Sequence, residues 1–404
     1  MTTTADAPHG TGARPTGDEL VARAAELVPL LRANAAATEE NRRVAEESIA
    51  AIAAADLYRI SVPERLGGLQ QDVTTSLRVS VELGRGDGST AWASTLMNVC
   101  AWMTSLMSDR AQRDVWGEDP DARVCGVLAP SAVTAYAEGG QVVTGKWGFA
   151  SGCLHAQWAG VGIPITNADG EPIDQGIALI PMSDLTIEDT WRVAGMRGTG
   201  SNTLVADGVF VPEHRIMSVT RAVGGDYATE HTDEALYRSA LVPVLALVLI
   251  GPQIGLAKQA LELVEASLAK GRGISYTFYE KSTLAPTTQL QIARAAQLID
   301  TAELHMLRAA GDIDGAAAKG EYLDFRTRAR VRADVATVAE SCREAVDLLL
   351  NVHGAGSFAE ANPLQRVWRD LETGGRHAVV NPSIGFELYG RAVLGVPEQI
   401  TALI

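Results

Sequence analysis

From Asp18 to about Leu57 apolar residues return every three or four positions (Leu20, Ala24, Leu27, Leu31), with charged residues between them. That spacing lays one apolar stripe along an α-helix, so helices are predicted there. The turn-rich SVPERLGGL (61–69) breaks the run, and Val73 to Met107 resumes it. This second stretch contains RGDGSTAWAS (85–94), whose small residues let a helix start come close to a neighbouring helix or to a ligand. Near Val124 the pattern changes to short β-rich runs, VCGVLA, QVVTGKWGFA, WAGVGIPI, GIALIPM, LTIEDTW and TLVADGVFV, separated by Gly, Pro, Asn and Asp. Such punctuation predicts a compact antiparallel β domain to about Ser218. A polar, mobile loop is expected over 219–234, followed by helices at Ala235–Leu268, Thr287–Gly315, Tyr322–Val352 and Ile384–Val393. The resulting picture is mostly α with a central β domain: a disordered tail (1–16), an N-terminal helical domain (17–123), a β domain plus loop (124–234) and a C-terminal helical domain (235–404).

Composition narrows the partners. With 404 residues, 47% of them hydrophobic, the chain can bury a large core in more than one domain. A formal charge of −15 without a basic stripe argues against nucleic acid and against anionic membrane surfaces. The most apolar run, Ala240 to Ile250, is interrupted by Pro243 and falls short of the roughly 20 residues of a membrane span, so it reads as a buried core helix. Four cysteines without CxxC pairing and a first stretch without an apolar signal core point to the cytoplasm. The seven histidines are dispersed and none has HExxH spacing, and no G-x-S-x-G elbow occurs, so neither a metal site nor a serine hydrolase is expected.

Three segments carry chemistry. GKWGFASGC (145–153) packs two aromatic rings, small polar residues and glycines into one strand end, a composition suited to a flat ligand. WRVAGMRGTGSNTLVADGVFVPEHR (191–215) and RVWRDLETGGRHAVVNPSIGFELYGRAVLG (366–395) follow in order. Together they resemble the acyl-CoA dehydrogenase fold and, more closely, its oxygenase branch, the two-component flavin-dependent monooxygenases. The resemblance implies an N-terminal helical domain, an antiparallel β domain and a C-terminal four-helix bundle that assembles a homotetramer or homodimer. It implies that Trp147, Phe149, Ser151 and Gly152 lie against the flavin ring, with the Ser151 hydroxyl near N5, where accepting the N5–H bond would prolong a C4a-hydroperoxyflavin. Ser201 and Thr203 would supply donors to flavin carbonyls or phosphate, and Gly354 and Gly356 of GAGSFA (354–359) would touch a flavin held by the neighbouring subunit. An ordinary half-buried strand, a glycine-rich β-turn and a plain helix C-cap are the respective alternatives.

The branch turns on a missing base. In the dehydrogenases of this fold a glutamate lies eight residues beyond the aspartate of an Arg-Asp pair, here Arg369-Asp370, which leads to Ala378. The other base position of the family leads to Leu245, and neither residue can accept a proton. His377 stands instead where the oxygenase branch keeps a histidine facing the flavin, as a base toward a phenol or indole, as a donor to the peroxide, or as a helix cap. Asn98 and Trp92 are the substrate-side candidates, with Trp102 and Trp158 as further aromatic walls or plain core residues. The expected function is aromatic hydroxylation of a phenol, indole or polycyclic natural product, using O2 and FADH2 or FMNH2 from a separate flavin reductase. N- or S-oxygenation, a dehydrogenase with a displaced base and a non-catalytic flavin-binding protein stand as alternatives.

Overall fold

The computed structural model describes residues 14–397 and 399–404; the predicted tail therefore lies outside the described residues as far as residue 13. Helix α1 (Gly17–Asn41) starts at a capping box in which the Thr16 hydroxyl accepts the Glu19 amide and Glu19 accepts the Thr16 amide. It is followed by α2 (Glu46–Ala54), α3 (Val73–Gly86), α4 (Gly88–Ser105) and α5 (Asp109–Trp116). A single extended residue, Asp87 (φ −157°, ψ 127°), ends α3 and caps α4 by accepting the Thr90 amide at 2.8 Å.

Eight strands follow: β1 (Val124–Val127), β2 (Ala132–Ala137), β3 (Gly140–Ala150), β4 (Trp158–Thr166), β5 (Pro172–Pro181), β6 (Thr186–Glu188), β7 (Asn202–Pro212) and β8 (Ile216–Ser218). They form two four-stranded sheets, ordered β1-β4-β5-β8 and β2-β3-β7-β6. The sheets face each other across a core that includes Val143, Trp147, Val161, Ile163, Ile180 and Leu204. One pairing departs from the antiparallel expectation: β1 and β4 run parallel, Val124 opposite Trp158. They are separated by a hairpin belonging to the other sheet, so chain order gave no hint of their pairing.

The expected loop at 219–234 contains a short helix, α6 (Val219–Val223), and is pinned rather than free. Tyr227 is buried and donates to the Ser239 carbonyl at 2.7 Å, and His231 Nε2 meets Asp109 at 3.0 Å. Next come α7 (Leu241–Leu247), α8 (Gly251–Leu268), α9 (Pro286–Lys319), α10 (Phe325–His353), α11 (Pro363–Gly374) and α12 (Pro382–Leu394). The apolar helical run Leu241–Leu268 falls within the predicted Ala235–Leu268 and extends well past the apolar stretch Ala240–Ile250, over 28 residues; 89% of its most apolar window is buried inside the protein, as befits a core helix. Helix α10 packs against α8, α9 and α12 to make the C-terminal bundle. The small residues at 84–88 serve helix packing: a Cβ on Gly84 would stand 3.0 Å from Gly255 Cα, and one on Gly88 2.7 Å from Leu256.

Candidate active site

The site begins with a bulge. Along β3, Val143 and Trp147 point into the sandwich at the period of two that a strand imposes. Between Trp147, opposite Leu204, and Ala150, opposite Asn202, one extra residue is inserted. The insertion returns Ala150 to the core and turns Phe149 outward in a left-handed conformation (φ 65°), 75% exposed. The Phe149 ring meets the Trp191 ring edge-on at 5.6 Å. Trp147 is corrected by the same geometry. It is fully buried and its indole N–H donates to the Gly162 carbonyl at 2.8 Å, so its side chain faces the sheet core and not a ligand.

Past the bulge, Ser151 ends a chain of buried hydroxyls. Its Oγ lies 2.7 Å from Ser201 Oγ, which lies 2.6 Å from Thr199 Oγ1, which donates to the Met196 carbonyl at 2.8 Å. A carbonyl can only accept, and each hydroxyl has one proton to give. Thr199 therefore spends its proton on Met196, Ser201 on Thr199 and Ser151 on Ser201. The Ser151 oxygen is left as an acceptor. Gly152 (φ 78°) turns the chain beside it, donates to the Thr199 carbonyl at 3.1 Å and packs on Met97 of α4, where a Cβ would come within 3.0 Å.

The glycines of the 195–200 turn lie in close contact with the rest of the protein. A Cβ on Gly195 would stand 2.0 Å from the Arg369 carbonyl, one on Gly198 2.2 Å from Thr38 and one on Gly200 2.9 Å from Leu154. Thr203 is half-buried at the rim and shares a 2.8 Å hydrogen bond with Thr190. Asn202 Oδ1 accepts the amides of Thr190 and Trp191 at 3.1 Å each, fixing that rim.

His377 lies three residues beyond α11. Its ring stands 6.0 Å from that of Trp92, and a Cβ on Gly374 would touch both Trp92 (3.1 Å) and Met196 (3.2 Å). The histidine and the hydroxyl turn are thus drawn together around α4. His377 Nδ1 accepts the Val379 amide at 3.3 Å, capping a short 3-10 turn. In the neutral ring the proton then sits on Nε2, which makes that nitrogen a donor. Desolvation lowers the His377 pKa from its ordinary value of 6.5.

Trp92, Thr95 and Val99 share one face of α4 at helical spacing. A turn below Trp92 opens a cavity of about 20 Å³, room for one water, bordered by Ser80, Thr95, Asn98, Val99, Trp102 and Val248. Asn98 donates to the Leu57 carbonyl at 2.9 Å, and Trp102 to the Leu236 carbonyl at 3.1 Å. Trp158 sits apart, at the start of β4 under the Arg215 guanidinium at 5.0 Å. Gly354 and Gly356 lie beyond the other end of α11, where the Asn362 cap donates to the Gly356 carbonyl at 2.9 Å. A 12-residue helix, about 18 Å long, separates them from His377. Neither dehydrogenase base position holds a carboxylate: Ala378 opens the 3-10 turn and Leu245 lies on α7.

Two family descriptions match, the acyl-CoA dehydrogenase N-terminal domain over residues 19–119 and its C-terminal domain over 247–382. The oxygenase subunit HsaA of a flavin-dependent monooxygenase from Mycobacterium tuberculosis is 34% identical across 93% of this chain and 95% of its own length. The chain belongs to the oxygenase components of flavin-dependent monooxygenases. The oxygenase component of the FADH2-dependent resorcinol hydroxylase from Rhizobium sp. is also 34% identical, over 94% of this chain and 95% of that protein. Among solved structures, XiaF from Streptomyces sp. in complex with FADH2 and glycerol has a TM-score of 0.90 at 36% identity, covering 95% of this chain and 97% of that one. Residues that sequence reasoning passed over in this oxygenase are Trp191, Met196, Thr199 and Asp370. Only the glycines flanking Met196 and the Arg369-Asp370 pair marked their neighbourhood in the sequence.

Proposed function

We propose that this oxygenase takes FADH2 or FMNH2 from a separate flavin reductase and, with O2, hydroxylates an aromatic substrate such as a phenol, an indole or a polycyclic natural product. The observation that carries the reading is the polarised hydroxyl chain: a buried, defined acceptor at Ser151 beside an exposed aromatic edge, with no carboxylate at either base position. This donor and acceptor set suits a flat heteroaromatic ring that presents an N–H. When bound, reduced flavin supplies the electrons that activate O2. Ser151 would accept the ring N–H, Thr203 would meet its polar rim, Gly152, whose amide and carbonyl are paired with Thr199 and His155, would only pass close to it, and Phe149 would cover an apolar edge. Trp92 and Asn98 would bound the substrate side.

His377 is read as a hydrogen-bond donor from Nε2 to an oxygen in the cleft. Taking a phenol proton would require the other tautomer and the loss of the Val379 cap. Gly354 and Gly356, at the opposite end of α11 from His377, suit contact with a flavin in a neighbouring subunit of a homodimer or homotetramer. The cytoplasm is the proposed compartment. Anaerobic mixing of flavin-loaded protein with acyl-CoA substrates tests the assignment: no bleaching is expected, because Ala378 and Leu245 cannot remove an α-proton. Rapid bleaching would return the chain to the dehydrogenases.

A further inference from the structure

We propose that Asp370 is a positioning residue: by holding the backbone of Met196 it fixes the carbonyl that ends the hydroxyl chain, and so keeps the Ser151 oxygen free to accept. The inference rests on the role given above to Ser151. Asp370, on α11, is 2% exposed and its Oδ1 accepts the Met196 amide at 2.5 Å. Met196 is buried in a left-handed conformation (φ 56°), which a residue with a side chain adopts only when its surroundings hold it there. On its other side, the Met196 carbonyl accepts two side-chain hydrogen bonds, from Thr199 Oγ1 and from the Trp191 indole, each 2.8 Å, as well as the Thr199 amide at 3.2 Å. The first polarises the Thr199–Ser201–Ser151 chain. The second orients the ring that stands against Phe149.

One residue therefore links both halves of the site through its carbonyl, and α11 holds that residue by its amide through one carboxyl. Neighbouring contacts reinforce the attachment: the Arg369 guanidinium donates to the Ala194 carbonyl, and Gly195 leaves no room for a side chain against α11. The charged groups facing Asp370 are Asp87 at the start of α4, Glu39 on α1 and Arg366 one turn earlier on α11. Burial, then Asp87, raises the Asp370 pKa to about 7. Either protonation state still offers an oxygen to Met196, the ionised one more strongly.

Hydrogen exchange in flavin-free protein tests the path without turnover. Asp370→Leu should speed amide exchange at Met196 and, through the displaced Thr199 carbonyl, at Gly152, by about tenfold or more. Peptides from α9 and α10 should be unchanged, and Asp370→Asn, which keeps the acceptor oxygen, should exchange like wild type. With reduced flavin and substrate, Asp370→Leu should divert O2 to H2O2, and adding Ser151→Ala should worsen coupling little beyond the worse single variant, since both changes remove one acceptor. Thr199→Val breaks the same path without touching the carboxyl, and should uncouple alike if Asp370→Leu fails to fold. Wild-type exchange at Gly152 in a folded Asp370→Leu variant, a fully additive double variant, or a coupled Thr199→Val would overturn the proposal. If wild type itself consumed no O2 with reduced flavin, the exchange result would still decide the positioning path, and the proposed function would be what failed.

Discussion

In the turn at 195–200 a Cβ on Gly195 would stand 2.0 Å from the Arg369 carbonyl, whereas in the turn at 354–356 a Cβ on Gly354 would meet nothing within 4 Å and one on Gly356 nothing nearer than His353 at 3.7 Å. Both turns look like ligand cradles in sequence, and they adjoin α11, the first near its C-terminal half and the second before its N-terminus. At the packed turn, glycine permits the protein to close on itself and hold Met196, Thr199 and Ser201 in one arrangement. At the open turn, glycine leaves space where a side chain would stand, although the Gly354 amide and the Gly356 carbonyl are paired with Leu350 and Asn362. Under the proposed function, chemistry that depends on fixed directions would sit at the packed end and contact with a separately held group at the open end.

The largest expected effect comes from His377, an exposed residue just beyond the C-terminus of α11. His377→Ala should lower product formation by about 10²–10³-fold, the loss typical of a positioned donor, while reduced-flavin affinity stays near wild type. Wild-type product formation should also fall on an acid limb below pH 6.5: the pKa is lowered by desolvation, so the neutral ring persists until the pH drops through that lowered value, and protonation then removes the Nδ1 acceptor for Val379. A pH–rate profile of the alanine variant should lack that limb.

Gly195→Ala should come next. Forcing a methyl against the Arg369 carbonyl should cost about 1–3 kcal/mol of stability, read as a lower Tm, together with uncoupled O2 consumption. Ser151→Ala should leave Tm nearly unchanged and raise H2O2 per product about 2- to 13-fold, the range of one neutral hydrogen bond worth roughly 0.5–1.5 kcal/mol. Smallest is Gly356→Ala. Its stability should stay within about 0.5 kcal/mol of wild type while reduced flavin binds more weakly. Equal melting shifts for Gly195→Ala and Gly356→Ala would erase the distinction between the two turns.

The long helices were legible because their apolar stripes run for many turns: α9 and α10 fall where the spacing placed them. Short α5 and α11 were passed over, since helices of 8 and 12 residues draw most of their stability from tertiary contacts that a local pattern does not display. The strand β3 was legible, its bulge was not: simple alternation puts Trp147 and Phe149 on the same face, and only the inserted residue separates them. The serine at 151 could be singled out by its motif. Its direction as an acceptor could not, because that follows from a carbonyl 45 positions later in the chain, held by a carboxyl on α11.

The most direct test is isotopic. Flavin-free protein is supplied with FADH2 by a reductase, given ¹⁸O2 and a phenolic substrate, and the product is weighed by mass spectrometry. One ¹⁸O atom per hydroxylated product is predicted, with none from labelled water. Oxygen consumption that ends wholly as H2O2 across phenol, indole and polycyclic substrates, or product oxygen drawn from water, would contradict the assignment.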